Sequence, residues 1–286
     1  MKSPQFALHA EIEEKHWWFL GRRRIVRELI QRAVPASKQE TVVDIGCGTG
    51  GNIAAFAQDY RCVGMDGSAE AIGWARRRFH GIEFICGSPT LNLGPAAKRA
   101  TVILLMDVLE HVPDDFLFFS KTLAAVRPGA HLLITVPADP DLWSPHDVSF
   151  GHYRRYDMRR LQRIWEGLPV TTRLVSYYNA RLYPIVRVIR ALNRSKRTAS
   201  GAAETDFSMP VPPVNALLEK LFAGEARILV DLLEKRRPTG FRRGVSLIAL
   251  LRREPGTVQP RKRPADIGPD LHDPGQATGG ANGEVF

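Results

Sequence analysis

Residues 41–51 read Thr-Val-Val-Asp-Ile-Gly-Cys-Gly-Thr-Gly-Gly, an apolar run that ends in an acid and continues directly into glycines. This order predicts a buried strand, a tight turn and the start of a helix. Gly46, Gly48 and Gly50 permit the torsions of the turn and a close approach of the backbone to a ligand. Because the carboxylate of Asp44 would repel a pyrophosphate, the sequence favours a cationic ligand at this turn.

S-adenosylmethionine (SAM) suits such a site because it carries an ammonium and a sulfonium group. The stretch resembles the first motif of class I SAM-dependent methyltransferases. The resemblance implies that Asp44, Gly46, Cys47, Gly48 and Gly50 contact this cofactor. The same stretch also fits the dinucleotide pattern G-x-G-x-x-G, so a NAD-dependent oxidoreductase remains an alternative.

Strands and helices alternate from residue 41 to about residue 137, which predicts a parallel α/β sheet with helices on both faces. The predicted strands are 41–44, 62–66, 83–86, 101–106, 131–136, 170–178 and 245–251, and the helices between the first five include 52–58, 69–79 and 114–126. The resemblance implies a doubly wound, seven-stranded Rossmann-like sheet. It also implies that the last strand is antiparallel and lies between strands five and six.

Three regions are expected along the chain. Residues 1–40 are predicted to form N-terminal lid helices, and residues 41–253 the SAM-binding domain, with a helical insertion at about 181–240. Residues 254–286 are rich in Pro and Gly and poor in apolar residues, which predicts a disordered tail.

The N-terminal residues 16–23 read His-Trp-Trp-Phe-Leu-Gly-Arg-Arg. They resemble the opening of a bacterial subgroup of small-molecule and lipid methyltransferases that is similar to the quinone-pathway O-methyltransferases. The resemblance implies that Arg22 or Arg23 pairs with the carboxylate of SAM and that the aromatic side chains close the pocket against water. Packing of the aromatics on the sheet, with the arginines in solvent, is the alternative.

The chain of 286 residues has a formal net charge of +10 and a sequence pI near 9.8. A basic protein of this kind binds nucleic acid, an anionic membrane surface or an anionic substrate. Nucleic acid is not an expected partner, because Met-Asp-Val-Leu stands at 106–109 in place of an N-P-P-Y-type motif. No signal peptide and no apolar run of transmembrane length is found, so the expected location is the cytoplasm, with peripheral contact at the inner membrane face.

Further cofactor residues are expected where the second, third and fourth strands end. Asp66 can accept hydrogen bonds from both ribose hydroxyls, with Gly67 and Ser68 along the same edge, although a helix cap is the alternative for this acid. The resemblance places the adenine near the end of the third strand and an apolar side chain of the fourth against the ligand. The residues concerned are Gly87, Ser88 and Met106.

The run Asp-Val-Leu-Glu-His-Val-Pro at 107–113 resembles the corresponding run of the quinone-pathway O-methyltransferases. Asp107 and His111 are therefore candidate catalytic residues. In a few relatives such residues help to hold a divalent cation, and Glu110 with a later histidine would complete a mixed carboxylate and imidazole set. A loop-fixing role is favoured over a metal site, so no metal is expected.

The predicted loop at 143–157 contains His146 and His152, which are candidate general bases because imidazole titrates near neutral pH. Arg154 and Arg155 are candidates for holding an anionic group of the substrate. A network of arginines bound to backbone carbonyls, which would fix the loop, is the alternative.

Residues 181–197 place arginines three or four positions apart and contain no acid. Such a basic amphipathic helix suits the surface of an anionic membrane, and a helical pair packed on the domain or a dimer contact is the alternative. The sequence as a whole predicts a SAM-dependent methyltransferase that O-methylates a hydroxyl of a small-molecule, isoprenoid or lipid-linked acceptor. An oxidoreductase and a catalytically silent, membrane-associated scaffold are the alternatives.

Overall fold

A computed structural model describes residues 3–87, 93–196 and 208–272. The strands are β1 (Thr41–Ile45), β2 (Arg61–Asp66), β3 (Glu83–Cys86), β4 (Val102–Met106), β5 (His131–Pro137), β6 (Val170–Tyr178) and β7 (Ser246–Arg253). They form one sheet in the order β3-β2-β1-β4-β5-β7-β6. Strand β7 is antiparallel to β5 and β6, whereas the pairs from β3 to β5 are parallel. The predicted Rossmann-like sheet is therefore confirmed.

The helices cover both faces of this sheet. They are α1 (Ser3–Ile12), α2 (Trp17–Ala33), α3 (Gly51–Ala54), α4 (Ala69–Arg78), α5 (Gly94–Arg99), α6 (Asp115–Ala125), α7 (Pro145–Ser149), α8 (Met158–Arg163), α9 (Tyr183–Lys196), α10 (Pro212–Ala223) and α11 (Ala226–Leu233). One core joins the sheet to α5, α6 and α8, and the other joins it to α2, α3, α4 and α11. Because successive strand residues point to opposite faces, Val42 and Val43 belong to different cores.

Helix α2 brings the N-terminal segment onto the sheet. It begins after His16, whose imidazole accepts a hydrogen bond from the backbone N–H of Trp18 at 3.3 Å. Its buried residues recur at helical spacing and form an apolar stripe. A Cβ at Gly21 would lie 2.7 Å from the ring of Phe222, so glycine permits the close packing of α2 on α10.

The predicted helical insertion before the last strand is present as α9, α10 and α11. Glu225, between α10 and α11, contacts the start of the insertion, since its carboxylate accepts hydrogen bonds from the backbone N–H groups of Ala180 and Arg181, each at 2.8 Å. These bonds fix the start of α9 beside the end of α10. No helix in the described ranges has both the length and the apolar character needed to cross a membrane.

Part of the predicted tail lies on the domain. The guanidinium of Arg261 donates to the backbone carbonyls of Arg163, Ile164 and Glu166 at 2.9, 2.8 and 2.7 Å. The backbone N–H of Leu271 donates to the carbonyl of Tyr153 at 3.0 Å. The structure thus differs from the expected disorder over 254–272, because these contacts hold the chain in place, and 273–286 lies outside the described residues.

Candidate active site

A cavity of about 470 Å³ lies where β1, β4 and β5 end. Ligands of doubly wound sheets bind at this edge, and the volume suits a small-molecule site. Of the predicted cofactor residues, those that line the cavity are Arg22, Gly46, Cys47, Gly48 and Met106. All four catalytic candidates also line it, namely Asp107, His111, His146 and His152.

The glycine turn after β1 forms one wall of the cavity. Gly46 has a φ of +77°, and a Cβ there would lie 2.7 Å from a methyl group of Val108, so this position requires glycine. Gly48 has a φ of +55° and differs in its surroundings, because a Cβ there would meet nothing within 4 Å. Since Gly48 lines the cavity, its missing side chain leaves room for a ligand against the backbone.

Asp44 lies buried at the end of β1, and neither carboxylate oxygen has a hydrogen-bond partner among the described residues. Burial raises the pKa of Asp44 to about 8, and the charge of Arg22 opposes this rise. A buried carboxylate without a partner is costly in an empty site and is stabilised by a cation that binds beside it. The ammonium group of SAM fits this requirement.

Asp66 is held at the end of β2 by backbone donors. Its two carboxylate oxygens accept the N–H of Gly48 at 2.9 Å and the N–H of Ser68 at 2.8 Å. These bonds leave lone pairs on both oxygens, which suits a pair of ribose hydroxyls. Gly67 and Gly87 lie exposed beside this acid, and Ser88 lies outside the described residues. The cap expected at this point is formed by Ser68, which accepts the N–H of Ala71.

Arg22 reaches from α2 into the cavity and is almost fully buried. Its guanidinium forms an ion pair with Asp107, donates to the side-chain oxygen of Asn52 at 3.3 Å and lies 4.1 Å from the ring centroid of Trp18. The hydroxyl of Thr135 donates to the other oxygen of Asp107 at 3.0 Å. Asp107 therefore orients Arg22. Because it is paired in this way, Asp107 is a weak candidate for the general base.

His152 forms a hydrogen-bonded pair with Asp147, with Nδ1 3.0 Å from Oδ1. Asp147 is fully buried and also receives Arg155 at 2.9 Å and Arg190 at 3.4 Å. Burial would raise the pKa of Asp147, but the charge of Arg155 and the hydrogen bond from His152 hold it well below its usual range. The ionised acid fixes the imidazole with Nδ1 towards Asp147, which leaves Nε2 for the cavity.

A second acid faces His152 from the turn after β4. One ligand atom each of Glu110, His111 and His152 lies within 4.8 Å of the others. Neither oxygen of Glu110 has a hydrogen-bond partner among the described residues, and burial together with the charge of Asp107 raises its pKa well above the usual range. Burial and the neighbouring His152 lower the pKa of His111 well below its usual range. A carboxylate with two imidazoles is chemically able to hold a divalent ion.

His146 lines the same cavity but lies farther from this cluster. Its ring centroid is 4.6 Å from that of Phe150 and 6.4 Å from that of His152, whereas the rings of His111 and His152 are 4.7 Å apart. Burial and the charge of Arg190 lower the pKa of His146 well below its usual range. Of the predicted bases, His152 is the one that the structure joins to an ionised acid.

Arg154 does not face the cavity, contrary to the prediction that it holds an anionic substrate group. Its guanidinium donates to the carbonyls of Leu109 and Val112 at 2.9 and 2.7 Å and pairs with Asp270 at 2.6 Å. Arg155 lines the cavity but is paired with Asp147. The arginine-to-backbone network that stood as the alternative is thus present, because buried guanidinium groups need several acceptors.

Sequence reasoning missed the partners of His152. Asp147 stands five positions before it in the same loop, which is a signal that could have suggested the pair. Arg190 comes from the distant helix α9 and donates to the carbonyl of Leu142 at 2.6 Å as well as to Asp147. No local pattern could have placed this arginine, because its partners are more than 40 residues away.

Comparison with known proteins gives a consistent result. A family model described as "Methyltransferase domain" matches residues 19–183. The trans-aconitate 2-methyltransferase of Azoarcus sp. (strain BH72) is 32% identical over 42% of this chain and 47% of its own length. The norajmaline N-methyltransferase of Rauvolfia serpentina is 31% identical over 35% of this chain and 37% of its own length. This chain thus spans less than half the length of these curated relatives.

A solved structure shares the fold at low identity. The plantazolicin methyltransferase BamL, in complex with a desmethyl analogue and SAH, superposes with a TM-score of 0.53 at 12% identity. The match covers 88% of this chain and 91% of BamL. It supports the seven-stranded fold and leaves the methyl acceptor open, since the relatives carry different acceptor names.

Proposed function

Because this chain belongs to the methyltransferase-domain family and uses SAM as its cofactor, we propose that it methylates a hydroxyl group of a neutral, apolar acceptor. The observation that carries the proposal is that His152, which is hydrogen-bonded to the buried Asp147, lines the same cavity as the glycine turn after β1. Oxygen methylation needs such a base because a hydroxyl is a weak nucleophile until it loses its proton.

SAM supplies an activated methyl group, so the protein mainly positions the acceptor and removes a proton. With SAM bound, its methyl group would pass to the acceptor oxygen and SAH would be the other product, and Nε2 of His152 would accept the hydroxyl proton. Asp147 stabilises the imidazolium that forms, and Arg155 and Arg190 keep Asp147 ionised. Trp17 and Trp18 line the cavity from α2, which supports the lid role predicted for this segment.

The charges of the cavity favour a neutral acceptor. Each arginine among the described lining residues already has a carboxylate partner: Arg22 pairs with Asp107, and Arg155 and Arg190 pair with Asp147. A carboxylate-bearing acceptor such as the one in the name of the Azoarcus relative would find no unpaired guanidinium here. Apolar side chains from the insertion line the outer part of the cavity, which suits a phenol, an isoprenoid or a lipid-linked hydroxyl.

Methylation of an amine is the second candidate. The unpartnered carboxyl of Glu110 faces the cavity and would attract an ammonium group. The similarity to a norajmaline N-methyltransferase favours the same reaction. Family membership does not support the oxidoreductase or the silent scaffold. Peripheral membrane contact and a cytoplasmic location remain predictions.

The proposal is tested by incubating the purified full-length protein with SAM and matched acceptors, and by measuring SAH release with identification of the product by mass spectrometry. The acceptor sets are phenols and isoprenoid alcohols, the corresponding amines, and the corresponding carboxylic acids. We expect turnover with the hydroxyl set that falls at least about 100-fold in His152→Gln. Turnover only with amines, or faster turnover with acids, would reject hydroxyl methylation of a neutral acceptor.

A further inference from the structure

The insertion helices expose an unusual amount of apolar surface. Helix α9 turns Ile185, Val188 and Leu192 to solvent with 58, 60 and 62% of each side chain exposed. Leu217 of α10 is 56% exposed, and Val211, Val214 and Leu221, at or just before this helix, are also exposed. Monomeric proteins seldom leave a large apolar patch uncovered, so this face is expected to bind something.

Helix α9 buries Arg190 and exposes much of its apolar side, although Arg187 is exposed as well. Arg190 is buried against Asp147, while the apolar arc faces outward. Burying a charged side chain and exposing Val188 and Leu192 is unfavourable in water. The arrangement is favourable when the outer side of the helix contacts an apolar phase.

The charge beside this arc is positive. Helix α9 has no acid, and Arg187, Val188 and Arg243 line a shallow groove. Arg243 makes no hydrogen bond or ion pair with the described residues. Two copies that met through this face would bring like charges together, whereas anionic headgroups complement them.

The exposed face is continuous with the cavity. Ile189 of α9 is 46% exposed and also lines the cavity, as does Leu218 of α10. The helices are held beside each other at the Glu225 junction, where Arg181 donates to the carbonyl of Leu221 at 3.0 Å. Apolar side chains of both helices therefore line the cavity, and that of Ile189 is exposed at the surface as well.

We propose that the face formed by α9 and α10 docks on the surface of an anionic bilayer, and that an apolar acceptor enters the cavity between these helices directly from the membrane. The apolar arc enters the interface, and the arginines contact the headgroups. This inference rests on the proposed function, because it supplies the route for the neutral, apolar acceptor.

The test is flotation of the full-length protein with phosphatidylcholine vesicles, with or without phosphatidylglycerol. We expect binding that requires phosphatidylglycerol and weakens with added salt. The double variant Val188→Asn/Leu192→Asn should lower the partition coefficient at least about tenfold, because it removes two apolar side chains that would enter the interface. The matched control Leu271→Asn, which changes a side chain that is 48% exposed elsewhere, should bind like the wild type.

Two further measurements distinguish a failure of the docking proposal from a failure of the proposed function. SAM affinity and turnover of a short, water-soluble acceptor should be the same in the double variant and the wild type. Vesicle binding without methyl transfer to any acceptor would reject the proposed function and leave the docking surface supported. The docking proposal is overturned if the wild type binds no vesicles or if the double variant binds them as well as the wild type does. It is also overturned if the wild type is a dimer and the double variant is a monomer.

Discussion

The cavity has a cofactor half, beside the glycine turn after β1, and an acceptor half, around His152. The buried acid next to each half differs in its hydrogen-bond and charge partners. In the cofactor half, Asp44 has no hydrogen-bond partner within the described chain, and burial raises its pKa to about 8. In the acceptor half, Asp147 is surrounded by His152, Arg155 and Arg190, and its pKa is held well below the usual range. The first acid has no hydrogen-bond partner within the described protein, whereas the protein itself supplies the partners of the second.

Because of this difference, we expect Asp44 to contribute to cofactor binding and Asp147 to the stability of the fold. Removing the carboxylate of Asp44 should weaken the binding of the cofactor without unfolding the protein. Removing that of Asp147 leaves two buried guanidinium groups without their partner, so the fold itself should suffer. Substitutions in the two halves can therefore confirm or break the comparison.

The largest effect is expected at His152. We predict that His152→Gln lowers kcat about 10²- to 10⁴-fold, which is the usual contribution of a positioned general base. The dissociation constant of SAM should stay within about twofold of the wild type, since His152 belongs to the acceptor half. Stopped-flow single-turnover assays measure the first quantity, and calorimetry measures the second.

His80→Gln is the control for this variant, because His80 is exposed and outside the cavity. It should retain wild-type kcat. If His152→Gln weakened SAM affinity by as large a factor as it lowered kcat, the division of the cavity into two halves would be wrong.

Asp147→Asn tests stability in the acceptor half. We predict a loss of about 3–5 kcal/mol in the free energy of unfolding, the range measured when one partner of a buried ion pair is removed. The pKa of Asp147 is depressed in the folded state, so its contribution is present above the ordinary pKa of 3.8 and is lost as the pH falls below it. Urea unfolding at pH 7, with the exposed Asp141→Asn as control, measures the loss. Equal stabilities would show that the network is dispensable.

The sequence predicted the cofactor half better than the acceptor half, for a physical reason. Asp44, Gly46 and Asp66 lie where the strands β1 and β2 end, so a local pattern of strand, turn and helix places them. The Asp147–Arg190 contact depends on how α9 packs against a distant loop, which no local pattern records. The sequence left open whether the apolar side of α9 faces a membrane or packs on the domain, because the amphipathic pattern gives the two sides of a helix but not which one is buried.

Asp44→Asn should have a smaller effect than the substitutions in the acceptor half. We predict a 10- to 100-fold weaker affinity for SAM, since one hydrogen bond to a charged group contributes about 1.5–3 kcal/mol. The exposed control Asp141→Asn should bind SAM normally. Calorimetry at pH 7 in buffers with different ionisation heats should show proton release on SAM binding to the wild type, because a pKa of about 8 leaves Asp44 protonated in the free protein.

The thermal stability of Asp44→Asn provides an independent reading. The raised pKa means that the folded protein binds one more proton than the unfolded chain between the ordinary value of 3.8 and about 8. The contribution of Asp44 to wild-type stability therefore declines as the pH rises through this range, and the variant should lack this decline. A variant that unfolds at much lower temperature would mean that Asp44 has a structural partner and would remove the contrast with Asp147.

The smallest effect is expected from chelation. Glu110, His111 and His152 are arranged so that they are able to hold a divalent ion, but the proposed reaction needs only the Asp147–His152 pair. We predict that EDTA changes kcat less than about twofold, because hydrogen bonding to Asp147 already activates His152 without a Lewis acid. Activity that is lost on chelation, restored by Mn²⁺ and absent in Glu110→Gln would assign the cluster to a metal. The acceptor half would then resemble the cofactor half in depending on a bound cation to neutralise its unpartnered acid.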